Sequence, residues 1–214
     1  NMVIFAKSGA GKSVTMKTLI SRSSVLMGIE SLALDAEGEY TIVSESLGGI
    51  NVVLSPNSKT IINLFDIETE RVKDEVTGRE KLVLNIENKV EDVTQALLTM
   101  ARGSTRSTEV NELTKQLIAE AVAEEYAALG INSSPSSLYK PGKELQKGDK
   151  LYNEKKDMPT IGSWYKRIQH KAAENTNSDY NSHYSYLLKV MRQYIREYNG
   201  QMAYFDGQST FELL

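Results

Sequence analysis

The chain has 214 residues, 40% hydrophobic and 25% charged, a composition typical of a globular protein with room for one core domain and an inserted subdomain. Its net charge of -3 gives no overall attraction to nucleic acid or to anionic membrane, so any such surface must be local. The absence of cysteine excludes disulfides and thiolate metal sites. No apolar run approaches the ~18 to 20 residues that a membrane-spanning helix needs.

The first third of the chain predicts a parallel β-sheet. Met2–Ala6 is a short apolar run typical of a buried strand, and residues 13–26 have a roughly helical apolar spacing. Ile29–Leu34 and Asn51–Leu54 are further apolar runs that predict strands. A strand, a helix and a strand of these lengths form a βαβ crossover, which implies a parallel sheet.

The spacing of apolar residues changes after about Leu82: from there they recur every three or four positions, as on one face of a helix. Residues 132–148 are polar and predict a loop, and Gln201–Phe205 predicts a short strand that returns to the sheet. The predicted helices cover residues 86–100, 110–122, 160–173 and 182–198. The sequence therefore predicts an α/β protein in which residues 1–82 begin a sheet-forming core, residues 83–200 form an all-α insertion and residues 201–214 return to the core.

Residues 6–13, AKSGAGKS, match the phosphate-binding pattern G-x-x-x-x-G-K-[ST] except that Ala6 replaces the first glycine. Glycines allow backbone N–H groups to converge on an anion, and the following helix adds its N-terminal partial charge. Lys12 is the candidate for the β- and γ-phosphates, and the Ser13 hydroxyl is the candidate Mg²⁺ ligand. The predicted nucleotide-binding residues are Ser8, Gly9, Ala10, Gly11, Lys12, Ser13 and Val14. This pattern predicts a P-loop NTPase.

A second polar motif, DAEGEY at residues 35–40, follows the predicted strand at Ile29–Leu34. Ligands of parallel α/β sheets bind beyond the carboxyl ends of the strands, which places these carboxylates beside the phosphate loop. Glu39 is the candidate for orienting the water that attacks the γ-phosphate, and Asp35 is the candidate for a supporting catalytic role. The alternative is a solvated acidic turn that Gly38 helps to form.

AKSGAGKS and DAEGEY, followed by INLFD at residues 62–66, resemble the conjugative-transfer ATPases of type IV secretion systems (the VirB-four/TrbE type), which belong to the HerA–FtsK group. MPTI at residues 158–161 and FDGQ at residues 205–208 also resemble segments of that family. The phosphate loop is shared with many NTPases, whereas DAEGEY together with INLFD singles out this family. The resemblance touches nearly the whole chain.

The resemblance implies a RecA-like P-loop core with an inserted all-α subdomain, and an ATPase motor that uses ATP and Mg²⁺ for pilus assembly and substrate transfer. It implies contacts with other type IV secretion components and with further copies of the chain, possible DNA or protein substrates, and a cytoplasmic location at the inner face of the cell membrane through partners. The family's second carboxylate motif, sensor glutamine and arginine finger would follow Leu214. We therefore expect a piece of a longer polypeptide that hydrolyses ATP hardly at all by itself.

Other functions remain open at this point. A DNA translocase of the HerA–FtsK group would use the same motor chemistry on threaded duplex, and a scaffold could use bound nucleotide only to order its fold. A small P-loop kinase fits less well, because the helical block is too long for an ordinary lid. The late tyrosines with nearby Lys and Arg could stack bases of single-stranded DNA, although helix packing is the simpler interpretation. His170 and His183 lie apart, so we expect no metal site there.

Overall fold

The computed structural model describes residues 5, 7, 10–55, 59–73, 78–103, 111–140, 145–147, 150–152 and 154–210. The chain divides into two compact units, Asn1–Val53 and Leu54–Leu214. Helices account for most of the regular structure in the described residues. Among these residues, no helix is long and apolar enough to cross a bilayer.

The first unit contains two helices. Helix α1 spans Lys12–Met27, which confirms the predicted helix, and α2 spans Thr41–Ser46. Gly11 precedes α1 with φ 84° and Gly28 ends it with φ 64°. Both values lie in the left-handed region that glycine adopts without strain, so the two glycines set the limits of α1.

The parallel sheet predicted for the first unit does not appear in the described residues. Ile29–Leu34 and Asn51–Leu54 have no strand hydrogen bonds, and the predicted strand Met2–Ala6 lies outside the described residues except for Phe5. No described residue of this unit is buried, and Leu32 and Leu34 are 87% and 98% exposed. An apolar run forms a buried strand only where neighbouring strands pair with it, and no such neighbour lies beside these runs in the described residues.

The second unit contains two antiparallel hairpins that the sequence did not predict. Strand β1, Glu70–Lys73, pairs with β2, Glu80–Val83, and its residues are exposed. Strand β3, Leu145–Lys147, pairs with β4, Lys150–Tyr152. The loop predicted at residues 132–148 was therefore wrong in part, since it contains a 3₁₀ turn at Pro135–Leu138 and strand β3.

The described residues of the second unit also contain four longer helices, close to the four helices that the sequence predicts. They are α3 (Ile86–Gly103), α4 (Glu112–Ala128), α5 (Ile161–Glu174) and α6 (Ser178–Met191). Asn111 caps α4 by accepting from the Thr114 N–H, and Thr160 forms a capping box with Ser163 at the start of α5. Such caps satisfy backbone donors that have no partner within the helix.

Helix α3 packs against α4 and α6, and α5 also packs against α4 and α6. Each helix therefore has two neighbours, and together they enclose one apolar core. The largest fully buried side chains include Trp164, Tyr126, Phe65, Leu97, Ile118, Ile161, Ile168, Leu187 and Met191. Phe65 belongs to the INLFD motif, so this motif contributes directly to the core of the helical block.

The chain after α6 differs from the prediction. The last predicted helix ends early at Met191, and 3₁₀ turns follow at Arg192–Tyr194 and Arg196–Tyr198. The strand predicted at Gln201–Phe205 is wrong, because Ala203–Phe205 forms a third 3₁₀ turn. The Tyr204 carbonyl accepts from the Ile62 N–H at 3.0 Å. This apolar segment is thus held in a tight turn against residues 61–63.

Candidate functional site

The described part of the phosphate loop has the backbone geometry that its motif requires. The Ala10 N–H donates to the Lys7 carbonyl at 3.1 Å, which forms a turn, and Gly11 takes a left-handed conformation. Lys12 is the first residue of α1, and Ser13 and Val14 lie in its first turn. The backbone N–H groups of a helix's first turn have no acceptor within the helix, so they are available to an anion.

This geometry fits a phosphate group. Among the described residues, no atom lies within 4 Å of a Cβ added to Gly11 and no side chain caps the start of α1, so this part of the backbone is open on that side. Lys12 is exposed, and a cation at this position would complement a phosphate. The described residues would therefore hold a nucleoside triphosphate through backbone N–H groups and Lys12, with Ser13 as the hydroxyl ligand of Mg²⁺.

Asp35 organises the acidic motif as a turn. Its Oδ1 accepts from the backbone N–H groups of Glu37 at 3.2 Å and Gly38 at 3.0 Å, and its Oδ2 accepts from Tyr40 N–H at 2.8 Å. The Tyr40 hydrogen bond is the main reason that the pKa of Asp35 lies below its usual value. Asp35 therefore has a structural role in this turn in addition to the catalytic role predicted for it.

The acidic motif and α1 meet at one contact. The Lys17 Nζ lies 5.7 Å from the centroid of the Tyr40 ring, within the range of a cation–π interaction. Lys17 is five residues after Lys12 on the same helix. The structure thus links DAEGEY to the helix that follows the phosphate loop, a contact that the sequence reasoning missed.

Several predicted site residues stay predictions. Ala6, Ser8 and Gly9 lie outside the described residues. Glu39 is exposed in the turn before α2, where a carboxylate is accessible to solvent. Its proposed role in orienting water depends on the position of a bound nucleotide.

The three other motifs of the family resemblance meet in the second unit. The Asn63 side-chain amide, in INLFD, donates to the Pro159 carbonyl of MPTI at 2.9 Å, and both residues are buried. The Gln208 side chain, in FDGQ, donates to the Met158 carbonyl at 2.7 Å and accepts from the Met158 N–H at 3.2 Å. We name residues 61–66, 158–163 and 204–210 the three-segment junction. The sequence marked these motifs but did not indicate that they touch.

Asp206, also in FDGQ, is a buried carboxylate of this junction. Its Oδ1 accepts from the Gly162 N–H in the first turn of α5, and its Oδ2 accepts from the Arg196 N–H, both at 2.8 Å. Charge-assisted hydrogen bonds of this kind offset the cost of burying a carboxylate. Asp206 therefore joins α5 to the second 3₁₀ turn after α6, Arg196–Tyr198.

The late tyrosines serve mainly in packing, as the simpler interpretation predicted. Tyr184, Tyr186 and Tyr194 are buried, and the Tyr186 hydroxyl donates to the Ala101 carbonyl at 2.9 Å. The face of Tyr198 is covered by the Arg192 guanidinium, 4.4 Å from the ring centroid. These rings are consequently not arranged as an open stacking surface for bases.

The two histidines have partners that account for their positions. His170 Nδ1 lies 3.1 Å from a carboxylate oxygen of Glu174 on the exposed side of α5. His183 Nδ1 lies 2.9 Å from the Thr114 hydroxyl, which links α6 to the start of α4. Both contacts are ordinary structural hydrogen bonds, in agreement with the interpretation of the histidines as surface and packing residues.

Comparison with known proteins gives one match. The family model described as "Helicase HerA, central domain" matches residues 1–206, which include the phosphate loop and the three-segment junction as far as Asp206. No curated protein and no solved structure matches the chain. Since the family match covers nearly the whole sequence, the chain belongs to the HerA central-domain family, a P-loop ATPase family of the HerA–FtsK group.

Proposed function

We propose that the chain is the nucleotide-gripping part of an ATPase motor that energises type IV secretion and conjugative transfer. The observation that carries the proposal is the phosphate loop, in which left-handed Gly11 leads directly into a helix whose first residue is Lys12. Enzymes of the HerA family use ATP, typically with Mg²⁺. In this chain Lys12 would hold the β- and γ-phosphates and Ser13 would hold Mg²⁺.

The assignment to type IV secretion, within the wider group, is supported by DAEGEY and INLFD. In that role the motor would act with other type IV secretion components and with further copies of itself, as in a hexamer, on a DNA or protein substrate. Its place would be at the inner face of the cell membrane, reached through partners. Within the site, Glu39 would orient the attacking water and Asp35 would support the turn that carries it.

The exposed apolar residues of the first unit support a RecA-like core for the complete protein. Val14, Val25 and Leu26 on α1 are each more than 60% exposed, as are Leu32 and Leu34 in the following segment. A helix that is apolar on several sides is normally buried, and a run such as Ile29–Leu34 suits the interior of a parallel sheet. We infer that a parallel sheet covers these residues in the assembled core.

The three-segment junction supports the proposed division of the chain at residues 82 and 200. Residues 61–63 hydrogen-bond to residues 204–210 through the Ile62–Tyr204, Asn63–Ser209 and Ile61–Thr210 pairs. The chain before the helical block therefore lies beside the chain after it. That is the arrangement expected of a helical subdomain inserted into a core.

The decisive experiment replaces Lys12 with Ala in the full-length protein and measures ATP turnover and conjugative transfer. We expect turnover to fall by at least about 100-fold and transfer to be lost, because the phosphate charge loses its main partner. Lys59→Ala removes the same charge from an exposed position outside the loop and should leave both activities unchanged. Conjugative transfer at the wild-type level in the Lys12→Ala variant would refute the proposal that this chain is part of an ATPase motor.

A DNA translocase of the HerA–FtsK group is the leading alternative, and the family description is compatible with it. Turnover that rises with the length of added duplex DNA would favour the translocase, whereas turnover indifferent to duplex would favour secretion. A nucleotide-ordered scaffold is the second alternative. It would be supported if ATP raised the melting temperature of the protein without any turnover.

A further inference from the structure

The three-segment junction connects parts of the chain that no local structure would bring together. The chain enters the second unit at Leu54 and reaches the junction at Ile61, seven residues later. It leaves the helical block after α6 and reaches the junction again at Tyr204. The chain before the helical block and the chain after it thus meet at one hydrogen-bonded site within the second unit.

Three polar side chains of the junction form hydrogen bonds to the backbone around the start of α5. Asn63, Asp206 and Gln208 each bind the backbone around the start of α5, at Pro159, Gly162 and Met158 respectively. Each of these hydrogen bonds ends on a backbone group, so each one restrains the position of the main chain. The Asn63 Oδ1 also accepts from the Phe65 N–H at 3.1 Å, which orients its amide toward Pro159.

The start of α5 is rigidly tied to the rest of the helical block. Ile161 and Trp164 are fully buried, and Thr160 and Ser163 close a capping box around the first turn. The Tyr126 hydroxyl donates to the Phe65 carbonyl at 2.7 Å, so α4 is held by the same segment as Asn63. A displacement of residues 61–66 would therefore move α4 and α5 together.

We propose that the three-segment junction is the mechanical coupling of the motor, through which nucleotide-driven movement of the core is transmitted to the helical block at the start of α5. This inference rests on the proposed ATPase function. Asn63, Asp206 and Gln208 are positioning residues in it, since their side chains bind backbone groups around the start of α5. Loosening the junction should leave nucleotide binding intact and disconnect the helical block from it.

Gln208→Ala is the best test because Gln208 is exposed, so its loss should leave the fold intact while both contacts to Met158 disappear. Hydrogen exchange of the full-length protein is measured with and without Mg²⁺ and a non-hydrolysable ATP analogue. In the wild type we expect slower exchange at residues 10–14 and a change of at least about threefold at residues 158–163. In Gln208→Ala the first effect should remain and the second should be lost.

Gln201→Ala is the matched control, because it removes the same side chain from a nearby exposed position and should respond like the wild type. Asn63→Asp is a second variant, which keeps the size of the side chain but cannot donate to Pro159, and it should also lose the response at residues 158–163. An undiminished response in both variants, or none in a wild type whose phosphate loop is protected, would overturn the coupling. Unprotected residues 10–14 in the wild type would instead overturn the ATPase proposal on which it rests.

Discussion

Asp206 and Gly162 define how closely the chain returns to the start of α5. The Asp206 Oδ1 accepts from the Gly162 N–H at 2.8 Å, and a Cβ on residue 162 would lie 2.6 Å from the same oxygen. That distance is shorter than any normal contact, so the carboxylate can approach the helix only because residue 162 is glycine. Its backbone angles are not in the left-handed region, which leaves the close approach as the reason.

Gly162→Ala should therefore destabilise the protein by about 1 to 3 kcal/mol, because the methyl group forces the Asp206 carboxylate away from both of its N–H donors. Urea unfolding followed by circular dichroism measures this loss. Gly103→Ala is the control, since a Cβ at the end of α3 meets no atom of the described residues within 4 Å. It should be neutral or slightly stabilising, by less than about 1 kcal/mol. Equal effects of the two substitutions would contradict the close approach.

The hydrogen bond from the Tyr126 hydroxyl to the Phe65 carbonyl predicts a second stability effect. Burial raises the pKa of Tyr126, with a further contribution from Asp66, so the hydroxyl stays a donor at any ordinary pH. Tyr126→Phe leaves a buried carbonyl without its partner and should cost about 1 to 3 kcal/mol.

The matched control for Tyr126→Phe is Tyr184→Phe. Tyr184 is also a buried residue, at 5% exposure against 1% for Tyr126, and the structure shows no hydrogen bond from its hydroxyl to another described residue. We expect this control to cost less than about 0.5 kcal/mol, since no bond is broken. If the two variants unfold at the same urea concentration, the Phe65 contact does not contribute to stability.

The helices could be predicted from the sequence because their evidence is local. In α3, Val90, Val93 and Leu97 recur at three- and four-residue spacing, and Val93 and Leu97 are buried. The strands were harder to predict than the helices, because a strand forms only where another strand pairs with it. Thus Ile29–Leu34 is apolar yet unpaired, whereas Glu70–Lys73 is polar yet forms a strand with Glu80–Val83.

The same distinction separates the two functional regions. The phosphate loop could be predicted because eight consecutive residues contain its glycines, its lysine and its serine. The three-segment junction could not be predicted, because Asn63 and Ser209 are separated by 146 residues. Neither sequence segment contains a pattern that indicates which other segment it contacts. A family resemblance can mark such segments as important, but only coordinates show that they meet.

The buried Trp164 predicts that one substitution by a smaller side chain lowers the free energy of unfolding only slightly. It is fully buried, and none of the described residues offers its Nε1–H a hydrogen-bond acceptor. Trp164→Phe removes this unsatisfied donor while it retains an aromatic ring, so the gain offsets part of the lost packing and the net cost should be below about 1.5 kcal/mol. Trp164→Ala should cost about 3 to 5 kcal/mol because it leaves a large cavity. Similar costs for both, measured by urea unfolding, would mean that the indole N–H does have an acceptor.

Lys89, on α3, predicts a dependence of stability on pH. Burial lowers its pKa from the ordinary value of 10.5, and the nearby Asp66 and Asp92 oppose this effect only in part. The unfolded chain therefore binds more protons than the folded protein between the lowered pKa and 10.5, so stability rises with pH in that window. The cost of this partly buried charge is fully present below the lowered pKa.

Lys89→Met keeps the length of the side chain and removes the charge, so it should be more stable than the wild type at pH 7. This advantage should shrink as the pH rises toward 10.5, because the wild-type lysine then loses its proton in the folded state. Urea midpoints measured from pH 6 to pH 10 test both statements. The exposed Lys81→Met provides the reference for the loss of a lysine charge at a solvent-exposed position. A Lys89→Met protein that is less stable at pH 7, or whose advantage grows with pH, would show that the two aspartates outweigh the cost of burial.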